Sequence, residues 1–247
     1  MVDVIKVWLK GIIQSHAGLT MMVARSYSTY CGLLALRHRA KLFGQCYVDR
    51  SVRIIGWHCV SLGRNVVIGA GGWLNVNNRR VGRKTLQIGD NSFIGRNNFF
   101  TVGESIVLRE YCLTASNCSF IGSSHNIADP FSPYISTGTT STYKIYVGVN
   151  CFLGYGAMVI GNVRIGHGSI VGAGSVVRGD VPPFSIVVGN PARVIKCFDF
   201  SRAQWVPVDE LVNTHVLNED DYLSALRGRL KYPVQPISAA ASGWADM

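Results

Sequence analysis

The sequence predicts a mainly β fold, a parallel β-solenoid, and three observations carry that prediction. An apolar residue recurs every six positions. An asparagine or glycine follows it three positions later. Of 247 residues, 48% are hydrophobic and only 15% are charged, so the chain collapses into an ordered body rather than staying disordered. The apolar series reads Leu62, Ile68, Leu74, then Ile88, Ile94, Phe100, then Leu108, Thr114, Phe120. It resumes as Val147, Leu153, Val159, Ile165, Val171, Val177. Each break in phase marks an inserted segment.

The second signal falls on Asn65, Gly71, Asn77, Asn91, Asn97, Gly103, Tyr111, Asn117, Ser123, Asn150, Gly156, Asn162, Gly168 and Gly174. Twelve of these fourteen are Asn or Gly, where the chain's 27 Gly and 14 Asn would place about two or three by chance. Both residues tolerate positive φ, so a tight corner is expected every six residues. The next position is small: Cys112, Cys118, Cys151, Ala157, Val163, Ser169, Ser175. A crowded interior corner explains that choice. Three faces of six residues make coils of about 18 residues, stacked about 4.8 Å apart. A helix would lose about 0.5–1 kcal/mol at each Gly or Asn, and a sandwich needs longer strands.

The pattern apolar-Gly-x-Asn/Gly-small-x resembles the hexapeptide repeat of the left-handed β-helix acyltransferases. The resemblance covers residues 48–196 and is most specific over Val147–Val177, followed by Asp180-Val-Pro-Pro183 and Gly189-Asn-Pro-Ala-Arg-Val-Ile-Lys196. That order is similar to the sugar O-acetyltransferases, including maltose, galactoside and exopolysaccharide enzymes. Left-handedness is what the resemblance implies, not what the periodicity shows.

The remaining elements follow from local patterning. Residues 1–45 form a helical segment, with Ile5, Trp8, Leu9, Ile12 and Ile13 on one face and Lys6, Lys10 and Gln14 opposite. Two readings stay open: packing on the first coil, or lying on a membrane surface with help from Arg37, Arg39 and Lys41. Residues 46–196 form the β-helix, interrupted by the basic segment 78–87 and by a loop at 123–146. Residues 197–247 form a helical extension. One helix is expected from Pro207-Val-Asp-Glu-Leu, and another from Asn218-Glu-Asp-Asp, with an N-cap and acids in its first turn.

Charge and cysteines bound the partners. The net charge is +10, distributed as +5 over 1–42, +8 over 43–196 and −3 over 197–247. A basic body suits anionic partners, but no RNP-like or helix-turn-helix motif points to nucleic acid. The basic run Asn78-Arg-Arg-Val-Gly-Arg-Lys84 reads equally as an acceptor contact or a solvated loop. Seven scattered cysteines without a Cys-x-x-Cys pair indicate neither zinc nor redox chemistry. They read as small buried residues in a reduced, cytoplasmic protein. No apolar run is long enough to span a bilayer, and Met1–Lys6 lacks the features of a signal peptide.

Acyl transfer to a sugar hydroxyl needs a base, and histidine suits it. Of six histidines, His125 alone begins a projecting loop, in Ser123-Ser-His-Asn-Ile-Ala-Asp-Pro130. His167 occupies a corner and is expected at the surface. The resemblance implies that His125 is the catalytic base and that the backbone N–H at Tyr155 stabilises the oxyanion. Acetyl-CoA would be co-substrate, with no metal, bound through Tyr155, Ala173, Arg178, Gly179, Arg193 and Lys196. Asn97, Asn126 and Asp129 are acceptor-side candidates, although all three also suit plain turns. The resemblance further implies a homotrimer with sites between subunits and a carbohydrate acceptor, acidic or lipid-linked. Three positions depart from the family: Gly179 where Lys is common, Phe152 where Trp is frequent, and Gly95 where galactoside-type enzymes carry an assisting Asn. Three alternatives stand beside this reading. An N-acetyltransferase would use the same base. A non-catalytic scaffold would use the same coils. A γ-class carbonic anhydrase would need three histidines on zinc.

Overall fold

A computed structural model of the chain describes residues 45–77, 79, 82–140, 142–211 and 216–229. The expected N-terminal helical segment, with its two readings, lies outside the described residues, as do His16, His38 and His215. What is described belongs to one compact unit.

That unit is a left-handed β-helix of six coils. The first sheet takes Cys46–Val48, Val66–Ile68, Phe93–Ile94, Leu113–Thr114, Phe152–Leu153 and Ile170–Val171. The second stacks Arg53–Ile55, Trp73–Val76, Phe99–Val102, Ser119–Ile121, Met158–Ile160 and Val176–Val177. The third stacks Val60–Leu62, Leu86–Ile88, Ser105–Leu108, Lys144–Val147 and Val163–Ile165, closed by a bridge from Ile165 to Val181. All pairings between coils are parallel and in register, as in Ile94 beside Thr114 and Thr114 beside Leu153.

The six-residue series lines the interior. Fourteen of its fifteen positions are buried; Leu62, in the first coil, is half-buried. Phe100 and Phe120 stack with centroids 4.5 Å apart. The small positions are buried too, and their polar atoms serve the backbone. Cys112 Sγ donates to Gly148 O and Cys151 Sγ to Gly166 O. Ser169 Oγ donates to Pro182 O.

The corners differ from expectation in one respect. Ten of the fourteen corner residues have φ between 55° and 74°, including Tyr111 at 61°. The four exceptions, Asn77, Gly103, Ser123 and Asn162, all lie between the second and third sheets. At that corner these four positions are not left-handed, while Gly56 and Gly161 there have φ of 84° and 90°. Its Asn residues serve by side chain instead: Asn162 Oδ1 accepts from Lys144 N at 2.8 Å.

After the sixth coil, Ser185–Gly189 adds to the first sheet. The chain then reverses through Asn190–Pro191, whose peptide bond is cis, into Ala192–Asp199 and Gln204–Pro207, both antiparallel. The helix expected at Pro207 is therefore a strand end followed by one 3-10 turn, Val208–Glu210. Pairing with Ala192–Asp199 satisfies this backbone, and Trp205 packs edge-on against Phe198. The second expected helix is present as α1, Glu219–Arg229, with Asn218 Oδ1 capping the N–H of Asp221.

Helix α1 is locked to the coils by Glu219. Its carboxylate accepts from Val149 N at 2.8 Å and from the Tyr146 hydroxyl at 2.6 Å, with Arg164 and Arg109 at 3.6 and 3.8 Å. A Cβ on Gly148 would lie 2.8 Å from that carboxylate, so the close approach requires glycine. His167 helps the lock and corrects its expected surface placement. It is 6% exposed, and its Nε2–H donates to Leu217 O at 2.8 Å, because the segment leading into α1 folds over its corner.

Two predictions follow from this packing. Glu219→Ala strands a backbone N–H and a phenol, at an expected cost of about 2–3 kcal/mol. Urea unfolding and faster amide exchange over residues 219–229 measure it. Burial pushes the Cys118 thiol up to about 11 and the Cys151 thiol up to about 12, from an ordinary 9.0. The fold therefore favours the neutral thiols. The stability they contribute is complete below pH 9 and is lost as pH climbs through 11 to 12, since the unfolded chain ionises first. Iodoacetamide at about pH 8 should leave both unmodified until urea is added.

Candidate active site

Both long insertions leave the coils at one corner, between the second and third sheets. Residues 77–85 interrupt the second coil and 122–143 the fourth. The exit is tightly packed. A Cβ on Gly103 would lie 1.8 Å from Gly122 O, and one on Gly122 would lie 2.8 Å from Thr101 O. Neighbouring coils thus meet backbone to backbone where the longer insertion departs.

The longer insertion begins as a short antiparallel ladder, Ser124–His125 against Thr139–Thr140. His125 stands exposed on it, directly opposite Thr139. Beyond it, Asn126 Oδ1 accepts from Ala128 N, and Asp129 accepts from Phe131 N and Ser132 Oγ. Those bonds hold the Asp129 carboxyl below the usual range, the Ser132 hydroxyl first. Both side chains shape the loop's own turns.

Two rungs further along the same corner, about 10 Å at the usual strand spacing, Arg178 and Gly179 line a groove of about 460 Å³ with Arg193. Val177, Val181, Val187 and Pro191 supply its apolar wall. Asp180 also lines it, with Oδ1 committed to Arg164 N at 2.7 Å. Lys196 is exposed on the same strand as Arg193, opposite Ile186, and is not part of this lining.

The other expected residues sit on a different corner, between the first and second sheets. Asn97, at φ 56°, and Asn117, Gly156 and Gly174 succeed one another there. Gly174 N donates to Tyr155 O at 2.8 Å, so Tyr155 and the exposed Ala173 occupy consecutive rungs. The Tyr155 ring is 60% exposed, and its hydroxyl accepts from Asn117 Nδ2 at 2.6 Å. One copy therefore gathers His125, Arg178, Gly179 and Arg193 along one edge of the second sheet, with Tyr155, Ala173 and Asn97 along the opposite edge.

The missing asparagine at position 95 has a steric cause. A Cβ on Gly95 would lie 2.5 Å from the Ala115 backbone, so no side chain fits. The basic segment also changes character. Arg83 binds Glu104 at 3.3 Å, and Lys84 Nζ donates to His58 O at 2.8 Å, while Arg80 lies outside the described residues. Sequence reasoning treated Asn77 and Ser123 only as corner residues. In fact Asn77 Nδ2 donates to Ser123 Oγ at 2.6 Å, one residue before the ladder that carries His125 begins. Among the described residues, no three metal-ligating side chains converge, and no helix is long and apolar enough to cross a membrane.

Residues 144–178 match the family model described as the hexapeptide repeat of succinyl-transferase. A Staphylococcus aureus protein provisionally named an acetyltransferase is 34% identical over 115 residues, 46% of this chain and 56% of that one. The chain thus spans just over half the length of that relative. The Escherichia coli protein WbbJ, provisionally named a lipopolysaccharide biosynthesis O-acetyl transferase, is 28% identical over 200 residues, 76% of this chain and 98% of WbbJ. AntD, an N-acyltransferase from Bacillus cereus crystallised with dTDP and 3-hydroxybutyryl-CoA, shares the fold. Its TM-score is 0.56 at 21% identity, over 77% of this chain and 96% of AntD. The repeats in the coils, the matched family model and these relatives agree in one respect: the chain carries the hexapeptide repeat over residues 144–178 and is similar to proteins named as acetyltransferases.

Proposed function

We propose that this protein transfers an acetyl group from acetyl-CoA to a sugar hydroxyl, in the assembly of a cell-surface polysaccharide. The observation that carries the reading is the groove at Arg178, Gly179 and Arg193, on the same corner as His125. Its valine and proline wall suits a pantetheine arm, and its two guanidinium groups suit nucleotide phosphates. The alignment with WbbJ supports the hydroxyl acceptor and the polysaccharide context.

In this reading His125 takes the proton from the acceptor hydroxyl as the oxygen attacks the thioester carbonyl. The tetrahedral oxyanion needs a preorganised donor, and the backbone N–H at Tyr155 is assigned that role. His125 then protonates the departing thiolate. Because Tyr155 lies across the second sheet from His125, the donor comes from a second copy, which supports sites shared between copies in a homotrimer. Lys196 takes part at the outer end of the nucleotide. Asn97, Asn126 and Asp129 stay on the acceptor side only as shapers of turns.

The test uses acetyl-CoA labelled in its acetyl group and alkali-treated surface polysaccharide, stripped of its own esters, from the source cells. Wild-type protein should label the polysaccharide, and mild alkali should release the label. Alkali-stable label would instead mean an amide, and hence N-acetylation. His125→Ala should lower turnover by about 10²–10⁴-fold while binding of CoA by calorimetry persists; unchanged turnover overturns the assignment. Arg193→Ala should raise KM for acetyl-CoA by about tenfold with kcat little changed, as expected for loss of one charge-assisted contact.

A further inference from the structure

We propose that Asn77 is a positioning residue for His125, acting through a hydrogen-bonded chain that spans two coils; this rests on the reading of His125 as the base. Asn75 Nδ2 donates to Asn77 Oδ1 at 2.8 Å, and Asn77 Nδ2 donates to Ser123 Oγ at 2.6 Å, between residues 46 apart in sequence. Ser123 is buried, 7% exposed, and is the last residue before the ladder bearing His125. Nothing in the corner itself dictates where that ladder points. The conformation at Ser123 is not left-handed, and the insertion that follows runs to residue 143 before the coil resumes at Lys144.

A second tie lies on the return side of the same two insertions. Glu104 Oε1 meets Arg83 at 3.3 Å, near the end of the basic insertion, and Lys144 at 3.5 Å, at the end of the longer one. The basic insertion is thus fastened to the His125 loop at both roots. Of these ties, Asn77 is the one that fixes the direction in which His125 leaves. Asn77 touches neither substrate nor cofactor in this account; it acts through Ser123.

The test is acceptor-independent in its first arm. Full-length protein labelled at histidine with carbon-13 and nitrogen-15 gives imidazole resonances, and His125→Ala identifies the one at 125. Asn77→Ala and Ser123→Ala should each move or broaden that resonance, and the double variant should do no more than either single one. Asn77→Asp keeps both bonds, accepting from Asn75 and from the Ser123 hydroxyl, and should restore the wild-type resonance. In the polysaccharide assay, Asn77→Ala should lower kcat about tenfold with KM for acetyl-CoA unchanged, and Asn77→Asp should recover it. A His125 resonance unmoved in both alanine variants overturns the inference. An Asn77→Asp variant as impaired as Asn77→Ala overturns it too. Unchanged turnover in His125→Ala would instead overturn the catalytic reading, while the spectra still decide whether Asn77 holds the loop.

Discussion

A stack of coils coheres only if each coil closes after the same number of residues, because the hydrogen bonds from one coil to the next fix its register. Here that closure is enforced at two corners out of three. At those two, residues such as Asn91, Asn117, Gly156 and Gly174 hold the left-handed conformation, and the chain has no freedom in length. The third corner varies from coil to coil, with a positive-φ glycine at Gly56 and Gly161 and a side-chain bond at Asn162. It can therefore carry extra residues without disturbing the rungs above and below. Both insertions arise there, and so does the candidate chemistry.

The same closure governs the interior. Each buried aliphatic rests on its counterpart one coil away, and each small residue at the turn leaves room for the backbone of the next coil. Cysteine meets that need with a side chain little larger than serine and a weak donor for a carbonyl. The raised thiols of Cys118 and Cys151 follow from it: burial in this column pushes them up, against the opposing pull of their backbone hydrogen bonds. Gly95 and Gly103 express the constraint most sharply, since a single added carbon at either would strike the adjacent coil.

Much of this was legible in the residues. The six-residue period named the buried positions, and the Asn and Gly that follow marked the corners. The helix beginning at Asn218 was readable because its capping chemistry is local. The failures share one origin, that long-range pairing leaves no local trace. Pro207 carries the signs of a helix start, yet its backbone is claimed by Ala192–Asp199. His167 has the sequence setting of a surface corner, yet a segment 50 residues away covers it. For the candidate site, the loop and the basic groove were readable. The bond from Asn77 to Ser123 was not, because both residues already had a sufficient explanation as turns.

One feature of the far end bears on how copies of the protein meet. A parallel stack left open would offer its last rung as a template for the first rung of another molecule, and such joins can continue into a filament. In this chain the first sheet does not stop at an open rung. It is extended by the hairpin of Ala192–Asp199 and Gln204–Pro207, while the second sheet ends at Val176–Val177, so the three faces do not finish at one level. A three-sided coil of another copy therefore finds no matching rung at that end.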